Sequence, residues 1–178
     1  MTRIAVLVGS LRHESKNVQY AKALEKLAPE GVTFHFANLD LPLFNQDLEA
    51  DFPASAQALK DLLAQADGVL MVTPEYNRSF PGVLKNAIDW ASRPWGANSF
   101  DGKPAAIVGV SGTLGTTQAQ QQLRNVMVYL NTHLLGQPEM YINGGTAYAE
   151  DGTLTDEART YAQNFLNTFV EHISRYES

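Results

Sequence analysis

The sequence predicts a three-layer α/β sandwich: a five-stranded parallel sheet of order 2-1-3-4-5 with helices on both faces. Three observations carry that expectation. Apolar runs of strand length alternate with helical patterns in the order βαβαβαβαβα, and strands separated by helices need crossovers, so they run parallel. The first, third and fourth runs are apolar without alternation, as strands buried on both faces are. The second alternates, which puts it at a sheet edge, where this order places strand 2.

Strand 1 is "RIAVLV" (Arg3–Val8), and Val18, Ala21, Leu24 and Ala28 share one face of the helix after it. In "VTFHFANL" (Val32–Leu39), Val32, Phe34 and Phe36 alternate with Thr33, His35 and Ala37. After the long loop "DLPLFNQDL" (Asp40–Leu48), Leu59, Leu62, Leu63 and Ala66 mark helix 2, and "GVLMVT" (Gly68–Thr73) is strand 3. Pro81 suits the start of helix 3, which carries Val83, Leu84, Ala87, Ile88 and Ala91. "PAAIVGV" (Pro104–Val110) is strand 4, and Leu123, Val126, Met127, Leu130 and Leu134 predict a fourth helix. "EMYIN" (Glu139–Asn143) is a weaker, peripheral fifth strand. Ala158, Tyr161, Ala162, Phe165, Phe169 and Ile173 line one face of the last helix, behind a capping box at Thr155–Ala158 that lacks its acid.

The 178 residues suit one domain, 1–178, with a self-sufficient core. A net charge of −6 without long runs of either sign argues against a nucleic-acid surface or a polybasic membrane anchor. The chain has no cysteine, which excludes disulfides, thiol chemistry and cysteine–metal sites. The apolar core of "MTRIAVLVGS" is too short for a signal peptide, and no stretch approaches the roughly 20 apolar residues of a membrane span. A cytoplasmic protein is expected.

Ligands of such sheets bind outside the carboxyl ends of the strands where their order reverses, here between strands 1 and 3. The three unusual loops fall there: "GSLRHESKN" (Gly9–Asn17), "PEYNRSFPG" (Pro74–Gly82) and "SGTLGTT", which begins at Ser111 and Gly112. In the first, Ser10, Ser15 and Asn17 offer hydrogen-bond donors and Arg12 a permanent charge, ahead of a helix N-terminus that favours anions. A Walker A loop fails, because Glu14 stands where its second glycine belongs and Asn17 follows Lys16. A dinucleotide fingerprint fails too, since Gly9 is the run's only glycine, so a single phosphate remains. Lys16 is expected to face solvent. By itself the run reads equally well as a Ser/Asn-capped helix start with a surface arginine. The second loop shifts the balance: its two prolines fix backbone N–H and C=O groups as a rigid edge for a planar heterocycle, with Tyr76 as an aromatic wall.

These residues carry a resemblance. "GSLRHESKN", "TPEYNRSFPGVLKNAIDWASR" and "GVSGTLGTTQAQQQLR" are similar to the flavodoxin-like NADPH-dependent FMN reductase family, including bacterial quinone and chromate reductases. The similarity runs from strand 1 to about Gly145, and its specific part is "PEYN-x-S-x-PG-x-LKNAIDW". It implies FMN, with Gly9, Ser10, Arg12, Ser15 and Asn17 at its phosphate. Pro74, Glu75, Tyr76, Asn77 and Ser79 belong to the loop along the isoalloxazine edge, mainly through backbone groups, and Ser111 and Gly112 approach the flavin after strand 4. The chain departs from the pattern at Gly115-Thr116, where many members have Gly-Gly.

The resemblance further implies a ping-pong oxidoreductase. NADPH or NADH reduces FMN and leaves, and a quinone, free flavin, or azo, nitro or metal-oxyanion compound takes its place. No catalytic side chain is needed for that, and none of the four histidines has metal-ligand spacing, so no metal is expected. His35 and His172 are expected at the surface, His133 at a helix end and His13 exposed in the first loop. A homodimer or dimer of dimers is implied. Arg124, Tyr129 and Glu139 then read as a network between subunits or as ordinary surface. Trp95 and Phe100 read as a lid or subunit contact, or as part of a loop pinned by one buried tryptophan. The alternatives are a one-electron flavodoxin-type carrier, disfavoured by Arg12 and the modest charge, and a cofactor-free regulatory protein. A receiver domain fails, because it needs acidic residues after strand 1 and an Asp at the end of strand 3, where this chain has Gly-Ser and Thr-Pro-Glu.

Overall fold

The computed structural model describes residues 1–112 and 114–176. Among these residues, eleven strands and α-helices follow in order: β1 (Thr2–Val8), α1 (Lys16–Lys26), β2 (Val32–Phe36), α2 (Ala54–Ala64), β3 (Gly68–Val72), α3 (Gly82–Ala91), β4 (Pro104–Ser111), α4 (Thr117–Tyr129), β5 (His133–Leu134), β6 (Met140–Asn143) and α5 (Asp156–Ser174), with one 3-10 helix (Gln46–Asp51) between β2 and α2. All the pairings are parallel, and the sheet runs β2-β1-β3-β4-β5 with β6 also paired to β4. This is the flavodoxin-like fold.

The unalternating strands have two buried faces. Ile4, Val6, Leu70, Val72, Ala106 and Val108 pack against α1 and α5, whose Leu24, Phe165 and Phe169 complete that core. Ala5, Leu7, Val69, Met71, Ala105 and Ile107 pack on the opposite face against Leu59, Leu63, Leu84, Ile88 and Leu123 of α2, α3 and α4. The edge strand β2 is one-sided: Phe34 joins the first core, while the Thr33 hydroxyl and His35 Nε2 meet at 3.1 Å. Among the described residues, no helix is long and apolar enough to cross a membrane.

The fifth position of the sheet differs from expectation. It holds two short strands: β5 against Pro104 and Ala105 at the base of β4, and β6 against Val108–Ser111 at its tip. Leu134, read as helical, belongs to β5. The helix stops because Asn131 takes a left-handed φ of 60°. Asn131 N–H then donates to the Val128 carbonyl (3.0 Å) and Thr132 N–H to the Met127 carbonyl (3.1 Å), the pair of bonds of a Schellman cap. His133 therefore lies in a strand, its ring stacked on Tyr176 at 4.1 Å. His172 is buried, with Nε2 2.7 Å from the His133 carbonyl, because the last turn of α5 packs on β5.

Other expectations resolve locally. Phe100 is fully buried and so is no lid, whereas Trp95 is exposed. The buried tryptophan of that stretch is Trp90, whose Nε1 donates to the Pro42 carbonyl at 2.7 Å and ties the long loop after β2 to α3. Within the chain, Arg124 holds the Leu135 carbonyl (3.1 Å), Glu139 accepts from Tyr141 (2.8 Å), and Tyr129 is exposed.

Candidate functional site

A cleft of about 470 Å³ opens at the carboxyl ends of β1, β3 and β4, at the switch between β1 and β3. Its first wall is the loop into α1. Gly9 extends β1 by donating to the Val72 carbonyl (2.8 Å). A Cβ there would lie 2.9 Å from Pro81 Cγ, so glycine lets the start of α3 close on β1. Ser10 Oγ accepts from Arg12 N–H at 3.3 Å. Ser15 is the N-cap of α1 in extended conformation, and its Oγ accepts from Val18 N–H at 3.3 Å. The first-turn amides of Lys16 and Asn17 then have no carbonyl four residues back to bond. Arg12 is exposed, 3.8 Å from Glu14.

Two residues of this wall behave differently from expectation. Asn17 is buried, and its side-chain amide bonds the backbone of Val110 in both directions: Nδ2 to the carbonyl and N–H to Oδ1, each 2.9 Å. It anchors α1 to β4 and offers the cleft chiefly its backbone N–H. Lys16 is exposed, as expected, but its Nζ is not free in solvent. It donates to the Gly144 carbonyl at 3.1 Å, so the ammonium spans the mouth of the cleft. Tyr148 Oη donates to the Lys16 carbonyl at 3.3 Å, and burial pushes this phenol up to about 12.

The second wall follows β3. Thr73 Oγ1 donates to the Pro74 carbonyl (2.8 Å). Tyr76 and Ser79 exchange backbone bonds of 2.9 and 3.0 Å around Asn77 and Arg78, whose φ angles of 51° and 66° make a type I′ turn. Glu75 turns its carboxylate away from the cleft mouth: Oε2 accepts from the N–H groups of Gln118 (3.0 Å) and Ala119 (3.1 Å). It caps α4 in place of Thr116, whose own side chain makes no cap bond. Ser79 also points to α4, donating to Gln122 Oε1 at 2.7 Å, and does not line the cleft. Tyr76 stands half-exposed at the rim.

The third wall is Ser111 and Gly112 at the end of β4; Thr113, next in that loop, lies outside the described residues. Gly109 below it has no room for a Cβ, which would fall 2.2 Å from both the Thr73 carbonyl and Thr116 Oγ1. The threonine that departs from the Gly-Gly pattern thus fills the space that Gly109 leaves, its hydroxyl accepting from Gln120 Nε2 (2.9 Å). A fourth contribution was not foreseen: Asn143, Gly144 and Gly145, at the end of β6, complete the rim beside Lys16. The signal existed in "NGG" at a strand end, but it points to the cleft only once β6 is seen to pair with the tip of β4. Among the described residues, no group of three acidic or histidine side chains is placed to hold a metal.

The cleft thus has a donor-rich, cationic end and a fixed backbone edge, and residues 2–147 match the family model of the NADPH-dependent FMN reductases. The chain belongs to that family. It is 51% identical over 172 residues to a 2-hydroxy-1,4-benzoquinone reductase of Burkholderia sp, covering 94% of each chain. It is 43% identical over 174 residues to a quinone reductase of Pseudomonas putida, covering 96% of this chain and 94% of the other. Among solved structures, the flavoenzyme NAD(P)H:(acceptor) oxidoreductase FerB from Paracoccus denitrificans superposes with a TM-score of 0.93 at 47% identity, covering 99% of both chains.

As a member of the NADPH-dependent FMN reductases, the protein is an oxidoreductase with FMN as cofactor and NAD(P)H as cosubstrate. The residues present fit that group. The cleft volume lies in the usual range of small-molecule sites. Hydroxyls, first-turn amides and two cations suit a phosphate at one end, and Gly112 and Gly145 keep the opposite walls free of side chains.

Proposed function

We propose that the chain holds FMN across the carboxyl edge of β1, β3 and β4 and reduces quinones by a ping-pong cycle. One observation carries this reading: the phosphate-type donors of Ser10–Asn17 and the fixed backbone of Pro74–Tyr76 line a single cleft, with Asn77 in the hollow that adjoins it. When bound, FMN supplies the redox chemistry, taking two electrons from NAD(P)H and giving them to the acceptor in separate half-reactions. The chain's own residues bind and orient. Ser10 and Ser15 donate their hydroxyl protons to phosphate oxygens, the amides of Lys16 and Asn17 add the positive end of α1, and Arg12 and Lys16 balance the charge. Pro74, Glu75, Tyr76 and Asn77 present backbone groups held rigid by the type I′ turn and by the Glu75 cap on α4. Ser111 and Gly112 close the far side. Gly9 and Ser79 act through packing: one admits α3, the other fastens the turn. No side chain is required to move a proton to carbon, and one face of the cleft stays open for exchange of nicotinamide and quinone.

We also propose a cytoplasmic homodimer or dimer of dimers, which light scattering of the FMN-loaded protein tests directly. For the main reading, FMN-free protein is titrated with FMN, and NAD(P)H oxidation is measured with both substrates varied. Saturable uptake of one FMN per chain and parallel double-reciprocal lines are expected. A protein that takes up no FMN, or intersecting lines, overturns the reading.

A further inference from the structure

The turn at Tyr76–Ser79 breaks a local rule at Arg78. A type I′ turn asks for Asn-Gly at its centre; Asn77 fits, and Arg78 occupies the glycine's place at φ 66°. A side chain with a Cβ is disfavoured there. Among the described residues, the contacts of Arg78 do little to offset that strain. The Arg78 carbonyl accepts from Gln122 Nε2 (2.8 Å), a bond any residue would supply. The guanidinium is 3.5 Å from Glu75 with 66% of the side chain exposed, a pair worth little to stability. Meanwhile Glu75, only 8% exposed, already gives its other oxygen to two N–H groups of α4, whose positive end balances its charge. The local sum is a net positive charge on a rigid mount.

Arg78 borders a hollow of about 350 Å³ also lined by Asn77, Ser111, Gly112 and Leu114. The hollow joins the FMN cleft, since Glu75, Ser111 and Gly112 line both. A strained residue that the fold does not need, facing a site, is evidence of function. We propose that Arg78 is a specificity-determining residue that favours acceptors bearing an anionic oxygen beside the quinone carbonyl. A hydroxyquinone in its enolate form presents two adjacent oxygens, the geometry that the guanidinium fork pairs with best. The proposal rests on the reading of the cleft as an FMN site that serves quinones.

The test uses two quinones that differ at one substituent: 2-hydroxy-1,4-naphthoquinone, an anion at neutral pH, and 2-methyl-1,4-naphthoquinone. FMN-loaded wild type is compared with Arg78→Gln, which removes the charge, Arg78→Lys, which keeps it, and Arg78→Gly, which removes charge and strain together. The ratio of kcat/KM, hydroxy over methyl, falls roughly fivefold in the Gln and Gly variants, as expected for one exposed charge pair, and much less in Lys. Calorimetric titration of the hydroxyquinone into oxidised enzyme without nicotinamide shows the same loss of affinity. The thermal midpoint of FMN-free Arg78→Gly equals or exceeds that of wild type. An unchanged ratio, a midpoint several degrees lower, or a loss confined to the KM for NADPH overturns the assignment. Failure of wild type to turn over either quinone instead removes the quinone reading, and the proposal with it.

Discussion

Asn17 and Val110 hold each other by two reciprocal hydrogen bonds of 2.9 Å, a side-chain amide standing in for a strand between α1 and β4. The phosphate wall is thereby bolted to the flavin wall through the buried layer beneath the cleft. Replacing Asn17 by Ala removes both bonds and leaves the buried Val110 N–H without a partner. A loss of about 3 kcal/mol in urea unfolding, and a thermal midpoint lower by roughly 10 °C, is expected. FMN affinity falls with it, because the donors of α1 lose their fixed position.

Glu75 links the second wall to α4 in the same manner. Glu75→Ala deprives Gln118 and Ala119 of their acceptor, and destabilisation of about 1–2 kcal/mol is expected by chemical denaturation. Hydrogen exchange shows where the change falls: amides at the start of α4 lose protection, while those of α1 keep it.

Arg12 is exposed and contributes nothing to the core, so its loss is read in the ligand instead of the fold. Arg12→Gln weakens FMN binding about tenfold, the worth of one charge-assisted contact, yet leaves riboflavin, which lacks the phosphate, unaffected. Fluorescence titration of the two flavins against FMN-free protein makes the comparison.

Tyr20 is fully buried and its hydroxyl finds no partner among the described residues. Burial, reinforced by Tyr148 and Tyr161, raises its pKa well above the ordinary phenol, and Tyr148 is pushed up to about 12. The unfolded chain releases these protons near pH 10, so above that value the folded state binds more protons than the unfolded one. Stability is therefore level with respect to these groups below pH 10 and falls as pH rises through about 12. Tyr20→Phe deletes the unpartnered hydroxyl, gains about 1 kcal/mol at neutral pH, and moves the alkaline unfolding edge upward. Unfolding midpoints between pH 8 and 12 check both statements.

The strands and the switch point were legible because burial on two faces leaves no room for alternation, and β1, β3 and β4 show none. The end of α4 was less so. Leu130 and Leu134 continue a helical spacing, and only the capping bonds around Asn131 reveal that the chain has turned. In the cleft, sequence finds residue types but not their directions. Asn17, Glu75 and Ser79 look like ligand groups in a list of polar side chains, yet each points at a neighbouring element. Lys16 looked like idle surface because its acceptor, Gly144, lies 128 residues away. Long-range pairing of this kind leaves no local pattern.

The divided fifth position of the sheet separates two duties. The base of β4 takes β5 and its tip takes β6, and the detour between them is stapled at Leu135 by Arg124 and at Glu139 by Tyr161. Gly136 and Gln137, between the staples, are exposed. Extra chain grafted there lengthens slack without shifting either strand. The protein thus has a built-in place to acquire new surface, such as a tether, a tag or a partner's docking peptide, at residues that do not line the cleft.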